Sequence, residues 1–593
     1  MEKRWIKKKL PDNDCIEKFR TRLLEAQLPL EEPLVALLMS RGITTVGEAL
    51  HFFNPDINLL HDPFLMKDMD KAISRISHAI IHNEKIMIYG DYDVDGTSAV
   101  ALVYSFLSEI IGEASRQYLE YYIPHRYTEG YGISERSIEY CHEKGVNLFI
   151  SLDCGIKAYT QIELANRHGI DVIVCDHHLE GEKLPDAVAI LNPKREGCPY
   201  PYKELSGCGV GLKLIQAYCM RFDLPDELWL SRFDLVAISI ASDIVPITGE
   251  NRIIAYYGLE IINKFPRPGI KTIIEQAGFK VQFPLQPETI FNREITVSDL
   301  VFYVGPRINA AGRMETGRES VRLFICEDED KSSEIGKNIN AHNDDRKEED
   351  RKATEEAILM IKGSDSLQQK KSIVLYNPNW FQGIIGIVAS RLVEEFYKPA
   401  IVLTKSSDGL ITGSARSVKE FNLYDAIDAC ADLLEHFGGH KFAAGLSMKE
   451  ENLEAFMQRL EQYVAECMDH DSDTPEIEID MALDLKEITS SFITNLKRFA
   501  PFGPGNMSPI FLSSNVVDEG GVRILKNEHL KLRVLYRDRA AFPKDAIAFG
   551  LKQHYYDIRS KKDFHIVYHL EENSWNNITI IQLNIKDIKI ANN

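Results

Sequence analysis

The spacing of apolar positions along the chain changes several times, and each change marks a change of element. Residues 34–39 and 72–81 carry apolar side chains at helical intervals, so residues 1–78 read as a helical region without catalytic signatures. From residue 85 the pattern becomes short, continuous apolar runs separated by amphipathic stretches. The runs at 85–89, 119–123, 147–152 and 171–175 read as buried strands, with helices near 97–111, 134–144 and 158–168 between them. This alternation predicts an α/β fold built on a doubly wound parallel sheet. Further helical periodicity follows at 210–222 and 227–240.

Residues 327–361 alternate acids and bases over a thin stripe formed by Ile335, Ile339, Ala353, Ala357 and Ile361, which predicts a long exposed helix joining two domains. A second, smaller α/β unit starts with the strand-like run 372–376 and ends near 470. Residues 471–475 read as a linker. Apolar runs at 522–525, 530–536, 564–570 and 578–585 then predict a small β-barrel. The expected division is 1–78 helical, 79–326 parallel-sheet domain, 327–370 connecting helix, 371–470 second α/β domain and 471–593 barrel.

Length and composition agree with this division. At about 150 residues per domain, 593 residues give a prior of roughly four domains. An apolar fraction of 44% with 27% charged residues is that of a globular chain, not a fibrous or disordered one. No uninterrupted apolar run approaches the ~18 residues of a membrane span, and the basic N-terminus lacks a signal-peptide core. The expected setting is therefore the cytoplasm, without a membrane partner. Ten cysteines without a CxxC pair indicate reduced thiols, not a disulfide framework or a zinc knuckle. A net charge of −20 argues against a nonspecific nucleic-acid coat. It leaves room for a basic channel, or for carboxylates gathered around metal ions. Residues 501–593 carry 13 Lys/Arg against 10 Asp/Glu, a local excess of bases.

The chemistry concentrates where strands end, which is where open parallel sheets bind ligands. Directly after the run 85–89 comes D-Y-D-V-D-G, placing Asp91, Asp93 and Asp95 at alternate positions. Such acids repel one another unless a cation lies between them. An EF-hand loop shares this opening, but its twelfth position here is Leu102 and a strand precedes it. A solvated acidic turn is the remaining plain alternative. Asp153 precedes Gly155 at the next strand end. Asp176, His177 and His178 follow the run 171–175, and Asp243 ends an apolar helix. Taken singly, Asp153 and Asp243 fit ordinary turns, and His177-His178 fits a chance pair. Taken together, many carboxylates with little imidazole suit two Mn²⁺ or Mg²⁺ ions better than a structural zinc, the arrangement used for in-line displacement at phosphorus.

These motifs, in this order, resemble those of the DHH phosphoesterase superfamily. The segments 307–313 (R-I-N-A-A-G-R), 382–391, 413–417 (G-S-A-R-S), 438–445 (G-G-H-K-F-A-A-G) and 501–506 resemble its RecJ branch, the single-strand-specific DNA exonucleases, from about residue 35 to the end. The resemblance implies a DHH domain, a connecting helix, a DHH-associated domain and an OB-fold barrel. It implies that Asp93, Asp95, Asp153, His177 and Asp243 hold two metal ions, with Asp153 as the bridge and Asp91 in a less defined role within the acid triplet. It casts His178 as the contact to the scissile phosphate and Asp176 as the holder of the histidines.

Arg307, Arg313, Ser414, Arg416 and His440, if they converge, would form a pocket for a 5′-terminal phosphate, because guanidinium forks match phosphate oxygens, and Asn309 would join them in binding nucleic acid. Arg126 and Tyr127, in the aromatic and basic stretch 125–132, would clamp the first nucleotides. Lys531, Arg533, Arg537 and Arg539 of the barrel would feed single strands inward. The glycines of 207–213 lack Walker spacing and predict a close helix approach with a phosphate contact. The implied activity is 5′-to-3′ degradation of single-stranded DNA in recombination, repair and mismatch repair, with a single-strand-binding protein and a helicase as partners. Rival readings are a DHH oligoribonuclease or cyclic-dinucleotide phosphodiesterase, and a non-catalytic single-strand-binding scaffold.

Overall fold

The structure is a computed structural model that describes residues 3–283, 287–314, 316–468, 474–537, 539–575 and 578–591. The chain forms two compact units. One comprises His61–Val245 and Tyr257–Pro475; the other comprises the chain up to Leu60, Pro246–Tyr256 and the chain from Glu476 onward.

The first unit contains a five-stranded, all-parallel sheet. Its strands, in chain order, are Ile86–Gly90, Leu119–Tyr122, Leu148–Leu152, Asp171–Cys175 and Ala189–Leu191, and Ile86–Gly90 lies between Leu119–Tyr122 and Leu148–Leu152. The spatial order 2-1-3-4-5 reverses between the first and third strands. Ligands bind at such a switch point because the connections leave it toward opposite faces. The strands are apolar on both faces because helices cover both, which explains why they read as runs without alternation. The short strand Ala189–Leu191 was not apparent from the sequence.

Helix Val94–Ile111 follows the first strand. Asp93 caps it by accepting the Gly96 N–H, and the Thr97 hydroxyl donates to the Asp93 carbonyl. The stretch Val94–Ala114 is long and apolar enough by composition to cross a membrane, but most of it is buried as a core helix against its neighbours. Helix Gly207–Arg221 starts at a Ser206 cap, and helix Phe233–Ser242 delivers Asp243 at its end. The helix Gly249–Lys264 approaches Phe233–Ser242 at Gly258. A Cβ at Gly258 would lie 2.4 Å from the Phe233 carbonyl oxygen and 2.6 Å from the Ala237 Cβ.

One helix runs Glu329–Lys362, capped by Asp328. It is less exposed than its charge suggested. Ser332, Gly336, Ile339, Asn343, Asp350, Ala353, Ala357 and Ile361 form a continuous buried face. The polar and small members escaped the apolar count. Gly336 admits Thr272 so closely that a Cβ would sit 2.3 Å from its Cγ2, and buried Asp350 is matched by Arg391 at 2.7 Å. Beyond it lies a mixed sheet in the order His436–His440, Ala443–Met448, Ile411–Arg416, Ala400–Lys405, Ile373–Tyr376. All its pairings are antiparallel except the last.

In the second unit, Phe511–Asp518 pairs with Phe564–Trp575 along one side and with His529–Tyr536 along the other, which closes a five-stranded barrel with Arg539–Ala548 and Ile578–Ile590. Helices Asn13–Glu25, Glu32–Ser40 and Val46–Phe53 share the barrel's hydrophobic core through Phe19, Leu34 and Leu38. Residues Arg4–Lys7, inside the stretch that read as helical, form a strand parallel to Glu476–Ile479. The pairing partner lies at the far end of the sequence, so local periodicity carries no trace of it. Residues 471–473 of the expected linker lie outside the described residues.

Replacing Gly258 by Ala forces helix Phe233–Ser242 to shift, at a cost of about 1–3 kcal/mol. Denaturant unfolding should show a lower midpoint, with a parallel loss of divalent-metal affinity because Asp243 moves with that helix.

Candidate functional site

Each acid of the D-Y-D-V-D-G turn has a different job. Asp95, in the first turn of helix Val94–Ile111, is buried and accepts from the backbone N–H groups of Gly207 and Cys208, both at 2.7 Å, and from the Ser239 hydroxyl at 2.7 Å. The N-terminus of helix Gly207–Arg221 thus points at a carboxylate, where its unpaired N–H groups and dipole favour negative charge. Gly207 is required there, since a Cβ would lie 2.6 Å from that of Asp153. The glycines of 207–213 make the expected close approach, but the group they meet is Asp95 and not a phosphate.

Asp153 leaves the third strand in the left-handed region at φ 61°, a conformation disfavoured for side chains other than Asn, Asp and Gly. This turn aims its carboxylate at His177. The His177 Nε2 lies 3.1 Å from Asp153 Oδ1, 3.6 Å from Asp243 Oδ2 and 3.7 Å from Asp95 Oδ2. His177 is buried, yet neither ring nitrogen has a hydrogen-bond partner among the described residues. Potential ligand atoms of Asp95, His177 and Asp243 lie within 4.8 Å of one another, as do those of Asp153, His177 and His178.

Electrostatics sharpen the picture. Burial, and then the neighbouring carboxylates, push Asp91 and Asp153 well above the ordinary carboxylate range, and the same causes raise Asp93. Asp243 is pushed up to about 8 by burial, Asp95 and Asp93. His177 is lowered by burial, against the pull of Asp95. A divalent cation removes all these penalties at once, and oxygen-rich donors with one imidazole suit Mn²⁺ or Mg²⁺. The orphaned His177 nitrogens and the mutually repelling carboxylates therefore fit such ions.

Asp176 differs. Burial would raise it, but the hydrogen bond and charge of His178, with the N–H groups of Ile156 and His178, outweigh burial and hold it at about 2. His178 Nδ1 sits 2.7 Å from Asp176 Oδ1. That partner overcomes burial and raises His178 to about 9, so its ring carries a proton at neutral pH. Its Nε2 faces the Tyr131 hydroxyl at 3.4 Å.

A cavity of about 490 Å³ joins these acids to a second group of residues. Tyr92, Asp93, Asp95, Tyr131, Ser242 and Asp243 line one part; Arg126, Asn309, Arg313, Arg416 and His440 line the rest. Arg126 stacks on Tyr92, 4.4 Å from the ring centroid. Arg313 donates to the Gly383 carbonyl at 2.8 Å, and Arg416 to Ser414 Oγ at 3.0 Å. None of Arg126, Arg313 and Arg416 forms an ion pair among the described residues. Burial, with the charges of Arg126 and Arg346, lowers Arg313 to about 9, and burial with Arg126 lowers Arg416. Crowded, unpaired guanidinium groups facing a cavity form a receptor for an anion.

Comparison with known proteins agrees with this geometry. Residues 85–240 match the DHH family N-terminal domain, residues 369–466 the DHHA1 domain and residues 479–587 the RecJ OB domain. The chain is 36% identical over 583 residues to the single-stranded-DNA-specific exonuclease RecJ of Bacillus subtilis (strain 168), covering 98% of this chain and 70% of that protein. It is 30% identical to RecJ of Escherichia coli (strain K12), covering 95% of this chain and 97% of the relative. The chain belongs to the RecJ family. The crystal structure of RecJ in complex with Mn²⁺ from Thermus thermophilus shares the fold, with a TM-score of 0.82 at 24% identity over 100% of this chain and 80% of that one.

Against this RecJ framework several expected site residues fall elsewhere. Asp91 is fully buried behind the cavity, with one oxygen unpartnered and the other 3.4 Å from the Gly132 N–H. Arg307 does not line the cavity. Its guanidinium is held by Asn340, the Tyr303 carbonyl and the Gln276 carbonyl, a structural clasp on the long helix. Tyr127 donates to the Arg313 carbonyl, and Ser414 holds Arg416, so both position cations instead of lining the space. In the barrel, Arg533 pairs with Glu519 at 2.6 Å and Arg537 with Asp563 at 2.6 Å, while the Arg539 side chain lies outside the described residues. Ser206, Ser239 and Arg346 were missed. The two serines fix Asp95 and its helix cap, and nothing in their local sequence signals it. Arg346, inside the charge-dense helix, was hidden among its charged neighbours.

Two expectations follow. A raised native pKa means that the folded protein binds more protons than the unfolded chain, so metal-free stability falls as pH rises above the ordinary carboxylate range. Asp153→Asn, which tolerates the left-handed turn, should therefore raise the melting temperature of the metal-free protein at pH 8 while lowering turnover about 10³-fold or more. Calorimetric titration with Mn²⁺ should also show proton release below pH 8 and an affinity that rises from pH 6 to pH 8, as Asp243 gives up its proton.

Proposed function

We propose that this chain is a two-metal hydrolase that removes nucleotides from the 5′ end of single-stranded DNA. The observation that carries this reading is one cavity lined on one side by metal-binding acids and on the other by unpaired arginines. A terminal phosphate seated among Arg126, Arg313, Arg416 and His440 would place the following backbone at the acids, which makes cleavage exonucleolytic. A mid-strand phosphodiester brings no terminal charge to that receptor.

Asp93, Asp95, Asp153, His177 and Asp243 would hold the ions, with Asp153 central because it approaches His177 most closely. When bound, such ions lower the pKa of a water and take up charge at phosphorus. The protein's own residues do the rest. His178 holds a proton at Nε2 for the departing 3′ oxygen, and Asp176 keeps that ring charged and oriented. Tyr131 donates to the Asp153 carbonyl at 3.2 Å and closes the wall beside His178. Roles in recombination and mismatch repair, work in the cytoplasm and partnership with a single-strand-binding protein and a helicase come to this chain from the family resemblance.

The test is degradation of labelled 30-mers in Mn²⁺ or Mg²⁺. Single-stranded DNA should be shortened from its 5′ end, while duplex DNA and RNA should resist. A 5′-phosphate should be favoured over a 5′-hydroxyl, and Arg416→Ala should erase that preference by raising KM for phosphorylated strands roughly 10-fold to 100-fold, the weight of a charge-assisted hydrogen bond. Equal attack on RNA, or attack from the 3′ end, would reject the assignment.

A further inference from the structure

We infer that Phe442 is a stacking platform for the 5′-terminal nucleobase, so that the first nucleotide is gripped by its base as well as by its phosphate. The inference rests on the exonuclease reading above and names what that site recognises beyond an anion.

Strands His436–His440 and Ala443–Met448 form a hairpin whose tip is Lys441 and Phe442, with His440 opposite Ala443. Gly439 makes the tip possible. It sits at φ 148°, and a Cβ there would lie 2.3 Å from the Ala443 carbonyl oxygen. On its other edge Ala443–Met448 pairs with Ile411–Arg416, which puts Ala443 opposite Arg416. The tip therefore adjoins two residues that line the cavity, Arg416 and His440.

The main chain of Phe442 is fixed at both ends. Its N–H donates to His440 Nδ1 at 3.3 Å, and its carbonyl accepts the Ser417 N–H at 3.0 Å. The first bond also sets the histidine tautomer. With Nδ1 accepting, a neutral His440 carries its proton on Nε2, the donor that a phosphate needs. Phe442 and His440 are thus one device, in which the backbone of the aromatic residue prepares the phosphate donor.

Phe442 as a residue is 45% exposed. Its neighbours are the Lys441 ammonium, 5.2 Å from the ring centroid, and the His440 ring at 6.3 Å. Of the aromatic rings that line the cavity, Tyr92 is covered by Arg126, and Tyr131, itself exposed, meets the edges of Tyr92 and His178 and is tied through its hydroxyl to the Asp153 carbonyl. Phe442 sits half-exposed on a hairpin tip, with the Lys441 ammonium over its ring and His440 beside it. That combination suits a nucleotide, whose base stacks on the ring while its phosphate meets the positive charge. Every base has a π-face, so the platform tolerates all four. Purines overlap the ring more fully than pyrimidines, and an abasic end offers nothing to stack.

The test compares 5′-phosphorylated 30-mers that begin with adenine, thymine or a tetrahydrofuran abasic residue, using the full chain in Mn²⁺. Wild-type KM should rise in that order, with roughly a tenfold spread between adenine and abasic ends, at the low end for one stacked base. Phe442→Ala should raise KM for the adenine end to the abasic value and leave KM for the abasic end in place, whereas Phe442→Trp should restore the spread. Equal wild-type KM for adenine and abasic ends would overturn the inference while leaving the exonuclease reading intact. So would an equal KM increase on both substrates in Phe442→Ala, or no change in that variant. Failure of the wild type to degrade any of the three strands would remove the exonuclease reading and the platform with it.

Discussion

Carboxylates crowded into a space with little water set the terms for the rest of this molecule. Asp95, Asp153 and Asp243 approach one buried imidazole, and burial together with neighbouring carboxylates raises the cost of ionising Asp93, Asp153 and Asp243. No chain places such groups together for packing, because their repulsion opposes folding unless cations join them. The surrounding architecture answers that constraint. A parallel sheet offers its switch point, a helix N-terminus offers two N–H groups to Asp95, and a left-handed turn at Asp153 swings a third carboxylate inward.

The complementary constraint lies across the same cavity. Arg126, Arg313 and Arg416 crowd together as the acids do, and burial and the charge of Arg126 destabilise the charges of Arg313 and Arg416 in the same way. The two clusters are kept as separate poles instead of neutralising each other in direct salt bridges. A substrate carrying phosphates, together with divalent ions, completes both. This local segregation explains how a chain with a net charge of −20 can act on a polyanion. The average describes the exterior, such as the Glu348, Arg351 and Glu355 pairs on the long helix, and says nothing about the interior of one cleft.

Much of this was legible in residue order, and the failures share a cause. The strands 148–152 and 171–175, the long helix and the barrel strands follow from apolar periodicity, which reflects burial of one face or two. Asp93, Asp95, Asp153, His177 and Asp243 were recognisable because strand ends and residue type point to them, and because the motifs resemble a known superfamily. Arg307 and Ser414 belong to motifs of that resemblance and Tyr127 to the aromatic and basic stretch 125–132, yet they hold neighbours in place instead of facing the cavity. A motif records which residues matter together; it does not say which atom faces the ligand. The strand Arg4–Lys7 and the serines around Asp95 gave no signal, since their partners lie hundreds of residues or a whole domain element away.

By itself the sequence determined the class of chemistry, because carboxylates at alternate positions after a buried strand have few uses other than holding cations. It also determined the α/β architecture and the barrel, because apolar spacing is a local consequence of which faces are buried. Only the tertiary structure decided that Asp91 is buried outside the cavity lining, that Asp176 pushes His178 up while burial pushes His177 down, and that Arg416 and His440 share a cavity with the acids. These are properties of distance and burial between segments far apart in the chain. Charge state depends on desolvation and on partners within a few ångströms, and neither quantity exists until the chain has folded.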